Sequence, residues 1–503
     1  MAVRTLYFGT MKPMPHSHDL YTVAQVRALD RRAIDALGIP GFELMRRAAA
    51  AAFASLRRHW PDAMRIGVYC GPGNNGGDGY LLAAMARDAG LGVVLFALPG
   101  DLHGDAALAR DAYRQGGGLV HDWDDAAFLV DVDVHVDALY GTGLSRAPSG
   151  CAERLVVALN ASKTPVLAMD VPSGLNADTG ACPGQAVMAD VTTSFIAAKR
   201  GLFTAQAAGY VGKIELHTLS LPESLWEGSA PDATLMQPES LPRRSRVAHK
   251  GSNGHVLAIG GEAGFAGAIR LCGEAALRAG AGLVSVATRE SNIVALNAAR
   301  PELMAHAVEG PQALAPLLDR ATVLAVGPGL GKGAWGHALW LTALDSAQAL
   351  VLDADGLNLL ADEPHEFQQP AVLTPHPGEA SRLLGMPVAD IEADRFAAVR
   401  ALAAKYRAVA VLKGAGSLVA HHDGRVVACP WGNPGMASGG MGDVLTGVIA
   451  ALLAQGGDAW HAACLGVALH ARAGDAAVGD GERGLLASDL FVPLRRLING
   501  REA

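Results

Sequence analysis

The chain has 503 residues and a formal net charge of −8, and it is 50% hydrophobic and 18% charged. The charged fraction lies below the roughly 25% of an average globular protein, which argues against a disordered scaffold. The negative balance gives no electrostatic footprint for nucleic acid or an anionic membrane, so we expect neither as a partner. The length corresponds to roughly two to four domains. Glycine is over-represented, at 61 residues, and clusters after short apolar runs, as in phosphate- and nucleotide-binding turns.

The cysteine spacing and the short apolar runs are typical of a soluble protein in a reducing compartment. The six cysteines are widely spaced and include no Cys-x-x-Cys pair, which is typical of reduced thiols rather than of a disulfide or zinc framework. Residues 1–20 lack the apolar region of a signal peptide, and no apolar run approaches the about 20 residues of a membrane span. We therefore expect a soluble cytoplasmic protein.

Residues 1–20 are interpreted as an N-terminal extension, and helical periodicity begins just after them. Val26, Leu29, Ala33 and Leu37 share one helical face. Short apolar runs then alternate with helical segments. Strands are predicted at 66–70, 93–98, 132–139, 166–169 and 191–196, and helices at 80–89 and 152–160. This alternation predicts a first α/β domain over residues 21–220, with a parallel sheet between helices.

Residues 221–244 interrupt the rhythm with four prolines and are predicted to be a linker. From 245 to 503 the alternation returns and predicts a second α/β domain. Its strands are predicted at 256–259, 283–287, 323–326, 349–352, 372–373 and 409–412, followed by a hairpin of 419–420 with 426–428. Long helices are predicted after Gly442 and over 458–477.

The first glycine cluster, Cys70-Gly-Pro-Gly-Asn-Asn-Gly-Gly-Asp-Gly79, follows a strand and opens a helix. It satisfies the G-x-G-x-x-G pattern of a redox dinucleotide fold, but the second strand ends without the acidic residue that would hold a ribose. The turn also carries side-chain oxygens, which are ligands for a hard cation. A plain phosphate cradle would need backbone N–H groups instead. The alternative is a tight strand–helix turn that uses Asn and Gly for its backbone conformation.

Two more motifs follow predicted strands, namely Asp137-Ala-Leu-Tyr-Gly-Thr-Gly-Leu-Ser-Arg146 and Asp170-Val-Pro-Ser-Gly174. Ligands of a parallel sheet bind beyond the carboxyl ends of its strands, so these motifs and the first cluster can converge there. Taken alone, Asp170 is better explained as the carboxylate of an Asx turn. Three such strand ends together favour a binding site.

On these motifs, and on Lys199-Arg-Gly201, residues 21–217 resemble the NAD(P)H-hydrate epimerase family. The resemblance implies a Rossmann-like three-layer αβα domain and makes Asp170 the candidate for acid–base catalysis. It implies a potassium site at Asn75, Asp137 and Ser173. It implies substrate contacts at Asn74, Asn75, Gly76, Gly77, Asp78, Gly141, Thr142, Gly143, Leu144, Ser145, Arg146, Ala147 and Asp170.

The second half carries its own signature, Asn433-Pro-Gly-Met-Ala-Ser-Gly-Gly-Met-Gly-Asp443, before an apolar helix. The N–H groups at that helix start can bind an anion, and Asp443 is placed to take a proton from an attacking hydroxyl. The alternative for Asp443 is an ordinary helix cap. The strand end Lys413-Gly-Ala-Gly-Ser417 can cradle a nucleotide, and His376 lies between two prolines on another strand-end loop.

A P-loop is excluded for Gly327-Pro-Gly-Leu-Gly-Lys332-Gly333, because the Walker A glycine and Ser/Thr positions hold Val326 and Gly333. Residues 245–500 instead resemble the ADP-dependent NAD(P)H-hydrate dehydratase family, within the ribokinase-like superfamily. That resemblance implies ADP as co-substrate, Mg²⁺, and Asp443 as the catalytic base. It implies hydrate contacts at Ala266, Gly329, His376 and Asp443, and nucleotide contacts at Lys413, Gly414, Ala415, Gly416, Ser417 and Gly442.

Together the resemblances imply one enzyme that repairs hydrated NADH and NADPH. It would interconvert the R and S hydrates and dehydrate the S form with ADP, giving AMP and phosphate. The family also implies a homo-oligomer. The alternative is a ribokinase-like kinase for a small vitamin alcohol with a non-catalytic nucleotide-binding N-terminal module. A redox dehydrogenase is disfavoured by the missing ribose carboxylate.

Overall fold

The computed structural model describes residues 16–123, 129–143, 146–239, 241–479 and 481–501. The chain divides into two compact units after Thr234. This boundary falls within the segment 221–244, which contains the short helix Glu223–Leu225 and the strand Ala233–Leu235. In the described parts of the chain, no helix is both long enough and apolar enough to cross a membrane.

The first unit alternates strands and helices, as the sequence predicts. Its strands are β1 (Asp19–Tyr21), β2 (Arg65–Cys70), β3 (Gly92–Ala97), β4 (Val120–Asp122), β5 (Val134–Ala138), β6 (Val166–Met169), β7 (Val191–Phe195), β8 (Ala198–Lys199), β9 (Lys213–His217) and β10 (Ala233–Leu235). Its helices are α1 (Val23–Asp35), α2 (Gly41–His59), α3 (Asn74–Asp88), α4 (Gly104–Gln115) and α5 (Cys151–Ala161). The small strand β1 pairs with β8 and β10.

The main sheet of the first unit is parallel, in the order β4-β3-β2-β5-β6-β7-β9. The chain runs outward from β2 to β4 and then returns to β5 on the other side of β2. The sheet therefore has its topological switch point between β2 and β5, where open α/β sheets leave a crevice for ligands. Helices α1 to α4 bury one face, with Val68 and Val136, and α5 covers the other, with Tyr69 and Trp123.

Two strands of this sheet, β4 and β9, are not predicted from the sequence, and β9 is missed because it carries charged residues. Glu215 in its middle is only 1% exposed, yet it accepts hydrogen bonds from Ser55 Oγ at 2.7 Å, Arg58 at 2.8 Å and His59 at 2.8 Å. Burial opposes ionisation of Glu215, but the donors and cations around it outweigh burial and lower its pKa. These contacts join α2 to the edge of the sheet.

The second unit restarts the alternation. Its strands are β11 (His255–Ile259), β12 (Leu283–Thr288), β13 (Met304–Ala307), β14 (Val323–Val326), β15 (Ala349–Leu352), β16 (Ala371–Leu373), β17 (Val409–Leu412), β18 (Leu418–Ala420) and β19 (Val426–Ala428). Its helices are α6 (Ala266–Arg278), α7 (Ile293–Ala299), α8 (Pro311–Leu318), α9 (Ala334–Leu344), α10 (Ala354–Asp362), α11 (Pro377–Leu384), α12 (Val388–Ala393), α13 (Arg395–Tyr406), α14 (Met441–Ala454), α15 (Ala459–Ala477) and α16 (Phe491–Leu497).

The strands of the second unit follow the order β13-β12-β11-β14-β15-β16-β17-β18-β19. They are parallel up to β17, and β17, β18 and β19 form an antiparallel edge that contains the predicted hairpin. Here the chain reverses direction across the sheet between β11 and β14. The apolar helix α14 is buried along most of its length in the core of this unit, as its continuous hydrophobic sequence requires. Both units are thus α/β layers, which confirms the predicted fold class.

Candidate functional site

The glycine-rich turn after β2 lets two backbones approach closely at the switch point. A Cβ atom at Gly71 would lie 1.8 Å from the carbonyl oxygen of Leu139, and one at Gly76 would lie 1.9 Å from that of Gly71. Only glycine fits at either place. Helix α3 begins at Asn74, whereas the sequence predicts its start at residue 80. The first turn is not predicted because glycine has a low helix propensity, and tertiary packing overrides that propensity here.

The next two strand ends bring Asp137 and Ser173 together. The Asp137 carboxylate accepts hydrogen bonds from Ser173 Oγ at 2.6 Å, Ser173 N at 2.8 Å and Leu139 N at 3.2 Å. Asp137 is fully buried, and burial raises its pKa to about 6 although these hydrogen bonds favour the charged form. Asn75 is also buried, and neither its amide oxygen nor its amide nitrogen has a hydrogen-bond partner among the described residues. Buried polar groups are nearly always paired, so a buried amide without a hydrogen-bond partner indicates a place where a ligand binds.

Asp170 follows β6 and adopts a left-handed backbone conformation, with φ of 66°. Its Oδ1 accepts a hydrogen bond of 2.5 Å from the Lys199 ammonium, which is 1% exposed. Lys199 also donates to Ser194 Oγ at 3.1 Å and to Phe195 O at 2.8 Å. The other oxygen, Oδ2, lies 3.0 Å from where a Cβ of Gly141 would stand. Asp170 is therefore held by one oxygen and presents the other to the glycine loop.

Asn75, Asp170 and Lys199 line a cavity of about 610 Å³ in the first unit, whereas Asp137 and Ser173 are not part of its lining. Of the predicted contacts, the cavity lining includes Asn74, Asn75, Asp78, Gly141, Thr142, Gly143 and Asp170. Gly76 and Gly77 are buried and shape the helix start, since a Cβ at Gly77 would meet Met45 at 2.7 Å. Arg146 and Ala147 do not belong to the lining, and Leu144 and Ser145 lie outside the described residues.

Asp30 and Lys199 also line the cavity, and the sequence does not single out Asp30. Asp30 belongs to the polar side of α1, which in isolation is typical of a solvated helix face. The signal is its position four residues after Val26 and four before Ile34, both of which line the same cavity. Arg27 closes the rim, with a guanidinium that donates to Thr142 O at 3.2 Å.

The second unit gathers polar residues at the carboxyl ends of β15, β16 and β17. Lys413 Nζ donates to Asp353 Oδ1 at 2.6 Å and lies 3.7 Å from Glu379. The second oxygen of Asp353 accepts a hydrogen bond of 2.9 Å from Thr446 Oγ1 on α14. Burial opposes ionisation of Asp353, but Lys413 outweighs it and lowers the pKa of that carboxyl. The result is a buried ammonium fixed between two carboxylates.

Asp443 lies in the first turn of α14, after Gly440 with φ of 90°. Burial raises its pKa to about 7, and the negative charges of Asp353 and Glu379 add to that effect while Lys413 opposes it. A Cβ at Gly442 would lie 3.2 Å from Lys413 Nζ. The structure thus brings Lys413, Gly442 and Asp443 to one place, with a carboxyl group suited to proton transfer near neutral pH.

His376 and the loop after β17 complete this edge. His376 N donates to Glu379 at 2.8 Å, and burial together with Lys413 lowers the pKa of the imidazole. Arg395, 1% exposed, donates to the carbonyl oxygens of Leu412 at 3.2 Å and Lys413 at 3.1 Å, and so fixes the start of the loop. Gly414 and Gly416 have positive φ there, and Ser417 Oγ bonds back to Gly414; Ala415 lies between the two glycines.

The predicted hydrate contacts Ala266 and Gly329 lie at the neighbouring strand ends of the same sheet. Ala266 is the first residue of α6, which follows β11, and Gly329 follows β14 with φ of 58°. A Cβ at Gly329 would lie 2.6 Å from that of Phe265, and Glu262 N donates to Gly329 O at 2.6 Å. The two loops therefore pack against each other at the switch point of the second sheet.

Three residues of this edge are not predicted from the sequence, namely Asp353, Arg395 and Thr446. Asp353 follows a strand end, which is the signal that could have found it. Arg395 and Thr446 lie within helices, where nothing in the local sequence separates them from ordinary helix residues.

Comparison with known proteins identifies the family to which each half of the chain is similar. Residues 41–201 match the family model described as YjeF-related protein N-terminus, and residues 256–496 match that of NAD(P)H-hydrate dehydratase. The chain is 46% identical to the bifunctional NAD(P)H-hydrate repair enzyme Nnr of Coxiella burnetii, over 95% of this chain and 99% of the relative. It is 45% identical to that of Escherichia coli, over 97% and 96%.

Among solved structures, about half of the chain is similar to the ADP/ATP-dependent NAD(P)H-hydrate dehydratase of Bacillus subtilis co-crystallized with ATP/Mg²⁺. The identity is 31%, the TM-score is 0.47, and the match covers 51% of this chain and 93% of that one. The two relatives match nearly end to end and span both halves, each of which carries its own site. The chain therefore belongs to the family of bifunctional NAD(P)H-hydrate repair enzymes.

Proposed function

We propose that the first unit interconverts the R and S epimers of NAD(P)H-hydrate, and that the second unit dehydrates the S epimer with ADP. The observation that carries this proposal is the pair of separate strand-end sites, each with one carboxyl group aimed at its ligand. Asp170 presents a free oxygen in the first cavity, and Asp443 stands at a glycine-rich helix start in the second unit.

In the first unit, the reaction exchanges the hydroxyl on the ring carbon next to the ring nitrogen. The C–O bond breaks and the nitrogen lone pair stabilises the ring cation that forms. The Asp170 carboxylate faces this charge, because Lys199 holds it through Oδ1 and leaves Oδ2 toward the cavity. Asn74, Asp78, Gly141, Thr142 and Gly143 would orient the hydrate.

Asn75, Asp137 and Ser173 fit a potassium ion. Their side chains offer oxygens, which hard cations prefer, and the amide oxygen of Asn75 is buried without a partner in the described structure. A bound K⁺ would fix the three strand-end loops and add positive charge near the site. We expect the wild-type protein to exchange the epimers more slowly when a bulky organic cation replaces K⁺ in the buffer. The Asn75→Ala variant should exchange them slowly in both buffers. Equal rates in both buffers would contradict the potassium site.

In the second unit, Asp443 would take the proton of the hydrate hydroxyl as its oxygen attacks the β-phosphorus of ADP. The bond between the β-phosphorus and the bridging oxygen breaks and AMP leaves. The N–H groups at the start of α14 would stabilise the transferred group. The ring nitrogen then expels phosphate, and loss of a proton from the neighbouring ring carbon gives NAD(P)H.

Lys413, Gly414, Ala415, Gly416, Ser417 and Gly442 would hold the nucleotide, and Ala266, Gly329 and His376 the hydrate. Mg²⁺ fits as an ion held largely by the phosphates, since the described residues contain no group of three or more His, Cys, Asp or Glu side chains that could bind a metal. When bound, it neutralises phosphate charge.

The deciding experiment mixes the purified protein with both NADH-hydrate epimers, with and without ADP. We expect complete recovery of NADH absorbance only with ADP, together with free phosphate. Asp443→Asn should abolish NADH recovery and leave epimer exchange intact, whereas Asp170→Asn should stop recovery at the S epimer's share. ADP-dependent recovery by Asp443→Asn would refute the assignment. A stable phosphoester in place of phosphate would support a small-molecule kinase.

We also propose that the protein works in the cytoplasm as a homo-oligomer. All six cysteines are free thiols, which suits a reducing compartment. The oligomer follows from the family resemblance, and light scattering after size exclusion tests it: a mass of 51.8 kDa would indicate a monomer and contradict the proposal.

A further inference from the structure

We propose that Arg289 is a positioning residue for the hydrate site of the second unit, because its guanidinium fixes the loops that follow β11 and β14. The inference rests on the proposed dehydratase function, in which Ala266 and Gly329 at the ends of those loops hold the hydrate. Arg289 itself directly follows β12, the strand beside β11.

The strand order β13-β12-β11-β14 places Arg289 beside three other strand ends. Glu309 follows β13, Glu262 follows β11, and the loop after β14 leads to Trp335 in the first turn of α9. The four strands are parallel, so all these residues lie at one edge of the sheet. The switch point between β11 and β14 is where an open sheet leaves its crevice for a ligand.

The guanidinium contacts a residue from each of these segments. Arg289 Nε donates to Glu262 Oε1 at 2.7 Å and Nη2 donates to Glu262 Oε2 at 3.0 Å, which makes a bidentate pair. Nη1 donates to Glu309 Oε2 at 2.6 Å. The Cζ atom lies 4.4 Å from the centroid of the Trp335 ring. Bidentate and stacked contacts need the planar guanidinium, so a lysine does not reproduce them.

Glu262 connects this anchor to the backbone of both loops. Its N–H donates to Gly329 O at 2.6 Å, and its Oε1 accepts a hydrogen bond of 2.8 Å from Ala263 N. Its own loop contains Gly261 and Gly264, with φ of 73° and 88°. Glycines give a loop many alternative conformations, so a loop of this composition needs side-chain contacts to keep one of them.

Arg289 acts on the hydrate through the loops rather than by touching it. Each of its three guanidinium nitrogens already donates to a carboxylate, and one face of the group lies against Trp335. When the two loops leave the arrangement that binds the hydrate, the apparent affinity falls in proportion to the fraction of molecules that keep it. Arg289 therefore sets the affinity for the hydrate by keeping that fraction high.

The test replaces Arg289 by lysine, which keeps the positive charge and loses the planar fork. Initial rates of NADH formation are measured over a range of S hydrate at saturating ADP, and over a range of ADP at saturating hydrate. Glu262→Gln and the combined variant complete a double-mutant cycle.

Arg425→Lys is the matched control. Arg425 also pairs with a carboxylate, Asp423 at 2.8 Å, and also lies over an indole ring, that of Trp460 at 4.8 Å. It belongs to the turn between β18 and β19, and Ala420 before that turn pairs with Ala410 near the amino end of β17. The control thus removes the same kind of contact at the opposite edge of the sheet.

We expect Arg289→Lys to raise KM for the S hydrate by about 10–100-fold, which corresponds to about 1–10% of the molecules keeping the binding arrangement. Both kcat and KM for ADP should stay within about threefold of wild type, because saturating hydrate draws the loops into place and the nucleotide loop follows a different strand. A protein that is merely less stable loses active molecules, which lowers the apparent kcat and leaves KM unchanged.

The combined variant should be no worse than the poorer single variant by more than about threefold, because both changes remove one contact. Multiplied losses in the combined variant, an unchanged KM for the hydrate, or an equal change in Arg425→Lys would overturn the inference while NADH formation by the wild type still supports the proposed function. A wild-type protein that forms no NADH from S hydrate with ADP would refute the proposed function, and this inference with it.

Discussion

Replacing Lys199 by methionine should destabilise the first unit far more than loss of a surface charge does. The Lys199 side chain is 1% exposed and that of its partner Asp170 is 15% exposed. The variant therefore leaves a mostly buried carboxylate at the carboxyl end of β6 without its cation. Removing one partner of a buried ion pair costs about 3–5 kcal/mol. In a domain of this size each kcal/mol lowers Tm by about 2–4 °C, so we expect a shift of about 6–20 °C.

The assay is scanning calorimetry of the whole chain with and without ADP. ADP should raise the transition of the second unit, which identifies the other transition as that of the first. Lys163→Met, at an exposed position, is the control and should leave both transitions in place. The combined variant Lys199→Met with Asp170→Asn should recover most of the lost stability, because the uncompensated charge is gone. A shift below about 2 °C, or a combined variant as unstable as the single one, would refute the reasoning.

Three further predictions concern other parts of the molecule. Because the folded-state pKa of Glu215 lies below its unfolded value of about 4.3, its ionised form stabilises the fold above that pH. Glu215→Gln should therefore lower Tm at pH 7, and the difference in Tm between variant and wild type should shrink as the pH falls. An undiminished difference at pH 3 would contradict this. Dehydration should rise as pH passes about 7, where Asp443 becomes the ionised base, and a kcat profile flat from pH 5 to 8 would contradict that role. Gly76→Ala should destabilise the first unit by about 1–3 kcal/mol in denaturant melts, whereas Gly73→Ala, with open space at its Cβ, should not; equal effects would contradict the packing argument.

The sequence predicts the strands of both sheets best where they are continuous apolar runs. The predictions at 166–169, 323–326, 349–352 and 409–412 coincide with β6, β14, β15 and β17, and the hairpin of β18 and β19 forms as expected. The strand β9 is missed because a buried carboxylate interrupts its apolar pattern, and its stability depends on donors from a helix about 160 residues earlier in the chain. Such a strand has no local signal.

The candidate sites show the same division. Motif residues at strand ends, such as Asp170 and Lys413, can be found because the turns that hold them have a distinctive composition. Their partners cannot, because the contacts join distant segments: Asp353 lies 60 residues from Lys413 and 93 from Thr446. Asp30 is similar, since its helix resembles any amphipathic surface helix until the fold brings it to the same cavity as Asp78 of α3 and Asp170 after β6.

The left-handed backbone at Asp170 restricts which mutations this position can accept. On conformational grounds only glycine, asparagine and aspartate occupy φ near 66° readily, and other residues meet a cost of about 1–2 kcal/mol. Of the three, only aspartate carries the charge that pairs with Lys199. The substitutions that best fit the backbone are therefore ones that silence the site, so random mutation here tends to produce inactive variants rather than partly active ones.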